Sequence, residues 1–473
     1  MRNKTPKFEE LKIDSMAFEG VAIGRLDNKV YFIKNAVPGD FVKAQIFKSK
    51  KNYAEGIVAE VIEKSEHRID PECKYFGVCG GCSWQNLSYD EQIKWKAINV
   101  KDSFERIGKF TDFIIHPIIA SDKQYGFRNK MEFTFGANRW LTAEEISSGE
   151  DIEYKGFALG LHPPGRYDKV IDLDYCKIQD DYGNLILNFM REKAHEFGLS
   201  TYSVRTFEGF LRNLIVRHSS TFDNFMIILV THDFQNDAER DFIEWLRNNF
   251  VNNFPKVISF FHAINNTNNP VTINKLELLS GIDHLKEKIL DLDYKISPFS
   301  FFQTNTYQLN NFIDKIINTT EVQKDDLCWD LFCGAGSITF PLAQKCKKVI
   351  GIELSRSSID DANINKQLNK IDNVEFFELD LSHKNIDEQL KHLAKPDILF
   401  LDPPRAGLSK NLIDFINSSN INRIVYVSCN PATQARDCDL MRDNYNVISI
   451  QPVDMFPQTY HIENIALLER KND

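Results

Sequence analysis

The chain has 473 residues, 42% hydrophobic and 26% charged, which excludes wholesale disorder, collagen-like repeats and a disulfide-stapled miniprotein and leaves material for about three domains. Its 57 Lys and Arg against 67 Asp and Glu give a formal charge of -10, so any nucleic acid must be held by a local basic face and not by bulk positive charge. No run approaches the ~18 apolar residues of a membrane span and the first residues lack the apolar core of a signal peptide, so we expect a soluble, cytoplasmic protein whose 9 cysteines are metal ligands, nucleophiles or core residues.

Residues 1–66 read as all-β. Short alternating runs such as Val30-Tyr31-Phe32-Ile33 and Gly56 to Val61 are separated by Gly, Pro-Gly and Asp-Asn turn signals, and five such strands suit a small closed, OB-like barrel. Lys43, Lys48, Lys50 and Lys51 with Tyr53 give it a basic, aromatic edge fit for single-stranded nucleic acid. A solvated charged loop on a structural barrel is the competing reading.

Residues 67–292 open with a cysteine-rich knot and continue as α+β, with strands over Lys130 to Phe135, Leu214 to Arg217 and Asn224 to Thr231 and a helix over Asp237 to Asn249. Residues 293–473 alternate strand and helix: Cys328 to Leu331, Ser337 to Cys346, Lys348 to Ile352, Ser357 to Asn369, Val374 to Glu378, Ile398 to Leu401 and Arg423 to Val427. That order predicts a mostly parallel, doubly wound sheet.

Five segments carry chemistry. In Cys73-x5-Cys79-x2-Cys82, with Cys176 far downstream, Gly77, Gly80 and Gly81 let the backbone curl so that thiolates converge. Four cysteines suit an iron–sulfur cluster or tetrahedral zinc, and the residues alone leave both open. The C-x3-C-x2-C spacing of radical enzymes is absent. Asp330-Leu331-Phe332-Cys333-Gly334-Ala335-Gly336-Ser337 is a glycine-rich turn between a strand and a helix, and Glu353 ends the next strand, where an acid accepts hydrogen bonds from ribose hydroxyls. The loop lacks the full G-x-G-x-x-G pattern, so a nucleoside without pyrophosphate, such as S-adenosylmethionine, fits better than NAD. Asp380 stands after Val374 to Glu378, placed to reach an adenine or to cap a helix.

Asp402-Pro403-Pro404-Arg405-Ala406-Gly407 follows an apolar strand, at the tips where doubly wound sheets bind ligands. Ser428-Cys429-Asn430-Pro431 puts a cysteine at a helix start, where the dipole and free N–H groups favour a thiolate. Cys328, Cys333, Cys346 and Cys438 have no such setting and are packing residues. Asp454-Met455-Phe456-Pro457-Gln458-Thr459-Tyr460-His461-Ile462-Glu463 ends in a carboxylate after a stiff aromatic loop, a general base or an ordinary charge at a strand start.

Together these segments resemble the RNA 5-methyluridine methyltransferases, most closely the bacterial 23S ribosomal RNA (uracil-5-)-methyltransferases, over nearly the whole chain. The resemblance implies a Rossmann-like α/β methyltransferase domain, an N-terminal OB-like TRAM barrel that binds RNA, and a central α+β domain with an iron–sulfur cluster. It implies a 4Fe-4S cluster on Cys73, Cys79, Cys82 and Cys176, and an S-adenosylmethionine pocket of Gln303, Phe332, Ser337, Glu353, Asp380 and Asp402. Ser337 departs from the asparagine often found there. It implies Cys429 as the nucleophile on uracil C6 and Glu463 as the base at C5, with Phe301 stacking on a flipped base. Arg128 and Arg212 are candidate phosphate contacts or surface arginines. The expected partner is 23S ribosomal RNA, with transfer RNA as the alternative, no membrane, and a monomeric enzyme. A non-catalytic RNA-binding module and a DNA cytosine methyltransferase are the other readings weighed.

Overall fold

Alternation at period two sets the N-terminal unit. In the strand Phe41–Ser49, Val42 and Ala44 are fully buried while Lys43 and Gln45 face outward, and Leu11 and Ile13 do the same in Lys7–Met16. The computed structural model describes residues 6–141, 143–148, 156–269 and 271–471. In it Lys7–Met16, Ala22–Leu26, Lys29–Lys34, Phe41–Ser49 and Tyr53–Glu63 form a closed barrel in which the last two strands exchange places. Closure removes every edge. The buried Asp40 carboxylate holds the chain exit, accepting from Val37 N (2.8 Å), Ser65 N (3.0 Å) and Arg68 Nη2 (2.6 Å). On the predicted basic edge Lys48 is paired with Glu55 at 2.5 Å and lies over Tyr53 at 5.4 Å.

The central sheet has seven strands, in the order Lys275–Gly281, Val257–Ile264, Asn224–Thr231, Leu211–Ser219, Lys130–Gly136, Ala158–Leu161 and Ile171–Asp172. Helices Asp181–Glu196 and Asp237–Asn253 cover one face, burying Ile186, Met190, Phe242 and Phe250 against Phe133, Phe135 and Leu229. Both helices start at side-chain caps, Asp180 on Tyr182 N and Asn236 on Glu239 N. The unbroken apolar run Phe225 to Val230 is explained by burial on both faces: Ile227 and Leu229 meet those helices, while Met226, Ile228 and Val230 join the core of the C-terminal sheet.

The C-terminal sheet runs Val374–Glu378, Lys348–Glu353, Leu327–Leu331, Ile398–Leu401, Arg423–Ser428, Glu463–Arg470, Tyr445–Val453 and Ile114–Ile115. Its first five strands are parallel, and Glu463–Arg470 inserts antiparallel. The helix predicted over Ser337 to Cys346 shrinks to Thr339–Ala343, because turns occupy both flanks and Pro341 supplies no N–H. Helix Tyr89–Asp102 lies against Pro431–Leu440 and Tyr445–Val453, and Ile114–Ile115 pairs with the last of these. Among the described residues no helix is long and apolar enough to cross a membrane.

Candidate active site

A cavity of about 1060 Å³ opens at the carboxyl ends of the parallel strands, where the crossover pattern of such sheets leaves a crevice. It is lined by Gln303, Phe332, Glu353, Asp380, Asp402, Cys429 and Glu463. Ser337, in the turn before its short helix, does not line it. Phe301 stands at the wall with 66% of its surface exposed, and Arg128 lines the same space. Arg212 lies elsewhere, buried in the central unit.

The glycine-rich turn is held to its neighbour strand by Phe332 N and Cys333 N, both donating to Ile352 O (2.8 and 3.1 Å). Phe332 itself adopts a left-handed backbone, φ 66°. Gly336, φ 91°, lies so close to Phe340 that a Cβ would come within 2.4 Å of the ring. Glu353 fixes the turn from the next strand, Oε2 accepting from Gly334 N (3.1 Å) and Oε1 from Ser355 N (2.8 Å). Asp380 accepts from Ser382 N and Oγ through Oδ1, which holds its carboxyl below the ordinary range. It thus closes a local turn and caps no helix.

On the opposite wall stand Asp402, Arg405, Cys429, His461 and Glu463. Desolvation pushes Asp402 up to about 7. Burial, and then the Asp402 charge, push Glu463 well above the usual carboxylate range, with Arg405 opposing. Cys429 does sit by the N-terminus of helix Pro431–Leu440, with Pro431 in its first turn. The thiolate expected from that position is not favoured: burial, then the neighbouring Glu463, raise the thiol to about 11. The helix N–H groups are already taken, because Asn430 Oδ1 accepts from Ala432 N (3.1 Å) and Thr433 N (3.4 Å). Arg405 pulls Cys429 and Glu463 the other way, toward their charged forms. Its backbone oxygen ties the Asp402 loop to the helix start, accepting from Asn430 Nδ2 (3.3 Å) and Thr433 Oγ1 (3.2 Å). His461, its ring nitrogens 3.4 Å from Arg405 Nη2, is driven down to about 4 by burial and then by Arg405, and is neutral near pH 7.

The loop that delivers His461 and Glu463 is anchored by residues without a sequence motif. Lys96 Nζ donates to Asp454 Oδ1 at 2.6 Å with both side chains wholly buried, and to Phe456 O at 3.0 Å. Asp454 also accepts from Tyr89 Oη (2.9 Å) and Phe456 N (3.0 Å). Gln458, φ 66°, exchanges hydrogen bonds with Gln92 through its backbone N–H and its side-chain oxygen (each 3.0 Å), and its carbonyl accepts from Ser83 N and Trp84 N. Asn129 Nδ2 donates to Gln303 O at 2.8 Å, fixing the segment that carries Gln303 and Phe301.

Cys73, Cys79, Cys82 and Cys176 line a second, small cavity. Burial first, and the neighbouring cysteines after it, raise Cys79 and Cys82 to about 12. Four thiolates there require a compensating cation. Among the described residues no three His, Cys, Asp or Glu side chains form a group that could hold one metal ion. Cys328, Cys346 and Cys438 are buried in the sheet cores, and Cys333 is buried in the glycine-rich turn.

The family model described as tRNA (Uracil-5-)-methyltransferase matches residues 274–471, and the TRAM domain model matches residues 7–59. An RNA methyltransferase of Bacteroides thetaiotaomicron is 41% identical over 457 residues, 96% of this chain and 100% of the relative. One of Chlorobaculum tepidum is 40% identical over 92% of this chain and 90% of its own length. The crystal structure of Pyrococcus abyssi tRNA (uracil-54, C5)-methyltransferase in complex with S-adenosyl-L-homocysteine superposes with a TM-score of 0.72 at 25% identity, covering 97% of this chain and 100% of that one. The chain belongs to the RNA (uracil-5-)-methyltransferase family, an S-adenosylmethionine-dependent enzyme with an N-terminal TRAM barrel.

Proposed function

We propose that this enzyme methylates C5 of a uridine in 23S ribosomal RNA through a covalent adduct on Cys429. The observation that carries the reading is one cavity holding Cys429, Glu463 and Asp402 on one wall and Glu353 and Asp380 on the other. Uracil C5 is a weak nucleophile, and covalent catalysis divides the difficult step. Cys429 adds through Sγ to C6, which pushes electron density to C5. Bound S-adenosylmethionine would supply the methyl group that C5 takes up, its S–CH3 bond breaking to leave S-adenosylhomocysteine. Glu463 withdraws the C5 proton, and elimination expels Cys429 as thiolate, leaving 5-methyluridine. Burial opposes ionisation of both Cys429 and Glu463 in the resting site. Arg405 favours their ionised forms, and a bound sulfonium cation adds to that pull. In this reading Glu353 takes the ribose hydroxyls, Asp380 the adenine, and Gln303, Phe332 and Asp402 the rest of the cofactor. Ser337 acts only by shaping the turn. Phe301, exposed at the wall, stacks on the flipped base.

We assign a 4Fe-4S cluster to Cys73, Cys79, Cys82 and Cys176. The four cysteines lining one small cavity, together with the family resemblance, support this reading. The cluster would fasten the loop 73–82 to the segment before helix Asp181–Glu196, a structural role, since methyl transfer from a sulfonium moves no net electrons. We read residues 1–66, 67–292 and 293–473 as the working units of a monomeric, cytoplasmic enzyme.

The test incubates wild type and Cys429→Ala with labelled S-adenosylmethionine and unmodified 23S ribosomal RNA or transfer RNA, then identifies the labelled nucleoside by mass spectrometry. Label in 5-methyluridine from ribosomal RNA, absent in the variant, is expected. The Pyrococcus abyssi structure names a transfer RNA substrate for that enzyme, and label only in transfer RNA would move this chain to that substrate. No label in either would overturn the reading.

A further inference from the structure

A cavity of about 400 Å³ opens on the central sheet beside the catalytic one. Strand Lys130–Gly136 links the two: Met131 and Glu132 line the catalytic cavity, while Thr134 and Gly136 line the other. His162 bridges them, its Nε2 3.2 Å from Thr134 Oγ1 and its carbonyl accepting from Gly80 N, at the catalytic wall, at 3.3 Å. From Glu132 to Gly136 the strand advances about 13 Å at ~3.3 Å per residue. That is about four stacked nucleotides of one strand, or fewer when the chain is extended.

The cavity is furnished for a flat, polar ring. Arg212, 6% exposed, stacks its guanidinium 4.1 Å over Tyr202 and is locked through Nη1 to Asn265 O (2.6 Å) and Thr267 O (2.8 Å). Among the described residues no hydrogen bond engages its Nε or Nη2. Tyr167, 78% exposed, and Phe207, 52% exposed, stand at the rim. Phe207 is held there in a left-handed backbone, φ 63°, which disfavours a bulky residue by about 1–2 kcal/mol. Its N–H donates to Ser203 O (2.7 Å) and Ser203 N–H to Glu208 O (2.8 Å). Arg166 and Arg205 both bind Asp168 at the same rim, so with Arg212 the group is net positive. The amides of Asn138, Asn213 and Asn268 complete the lining.

We propose that this cavity takes a second, unpaired nucleobase of the RNA strand whose target uridine enters the catalytic cavity. The base stacks on Tyr167 and Phe207, and Arg212 with the asparagine amides reads its edge. The inference rests on RNA being the substrate. It gives the enzyme a specificity site that acts through binding and not through the chemical step.

The test compares wild type with the double variant Tyr167→Ala, Phe207→Gly, the glycine chosen because it tolerates φ 63°. Substrates are unmodified 23S ribosomal RNA and transfer RNA transcripts, followed by a set with a single abasic position near the target. Expected is a KM for RNA raised about tenfold or more, from ~1–3 kcal/mol of stacking per base, with kcat and the KM for S-adenosylmethionine unchanged. Tyr167→Trp, which keeps a stacking ring, should restore KM. One abasic position should cost wild type a similar factor and cost the double variant nothing further. An unchanged KM, or losses that multiply at every abasic position, would overturn the site. Wild type that methylates neither RNA would overturn the substrate reading and this site with it.

Discussion

Removing Lys96 tests whether a buried ion pair holds the loop that carries His461 and Glu463. Lys96→Met keeps the shape of the side chain and leaves Asp454 wholly buried without its cation. Breaking one partner of such a pair costs about 3–5 kcal/mol. Asp454 keeps its hydrogen bonds from Tyr89 Oη and Phe456 N, so the expected cost is at the lower end, about 3 kcal/mol. Amide hydrogen exchange over 454–461 reads this locally and needs no assumption that the whole chain unfolds in one step. At pH 8 the variant should exchange about 150-fold faster than wild type, since ~1.4 kcal/mol is a factor of ten. Equal protection in variant and wild type would refute the account.

Other outcomes follow from the same geometry. Glu463→Gln should accumulate a covalent RNA adduct on Cys429, seen as a shifted band on denaturing gels with 5-methyluridine release falling at least 100-fold; free product at the normal rate would remove the base from Glu463. Because the resting Cys429 thiol titrates near 11, its alkylation by iodoacetamide in the RNA-free protein should rise about tenfold per pH unit from 7 to 9, and Arg405→Met should slow it. A profile flat above pH 7 would mean that the thiolate is already formed. Gly407→Ala places a Cβ at φ 81°, 2.3 Å from Asp437 Oδ2, and should cost at least ~1–2 kcal/mol in thermal or urea melts and displace the Asp402 loop. Anaerobically isolated protein should carry iron and sulfide in 4Fe-4S proportion, and Cys176→Ser should lose it together with protection of the loop 73–82 in hydrogen exchange. Iron-free protein with that loop equally protected would argue for simple packing.

Much of the fold was legible because its signals are local. Period-two alternation sets the barrel strands, and the succession of apolar strand tips with Gly334, Asp402 and Cys429 after them describes a parallel sheet before any contact is known. Since such tips share one edge, the same reading brought Glu353, Asp402, Cys429 and Glu463 to a single crevice. Interactions across long sequence separations were not legible. Lys96 and Asp454 lie 358 positions apart, and nothing in helix Tyr89–Asp102 marks one lysine as buried. The Cys429 thiol was misjudged for a related reason: a helix N-terminus is visible in Asn430-Pro431, but the desolvation and the Glu463 charge that outweigh it arise only when distant strands close around the thiol. Arg212 read as a phosphate contact or a surface arginine, yet folding buries it with its guanidinium over Tyr202. Sequence alone determined the elements and the chemistry they carry, because both are written within a few residues. Tertiary structure decided which charges are paired, which protons stay bound and where a second cavity opens, because each depends on how much water distant segments exclude together.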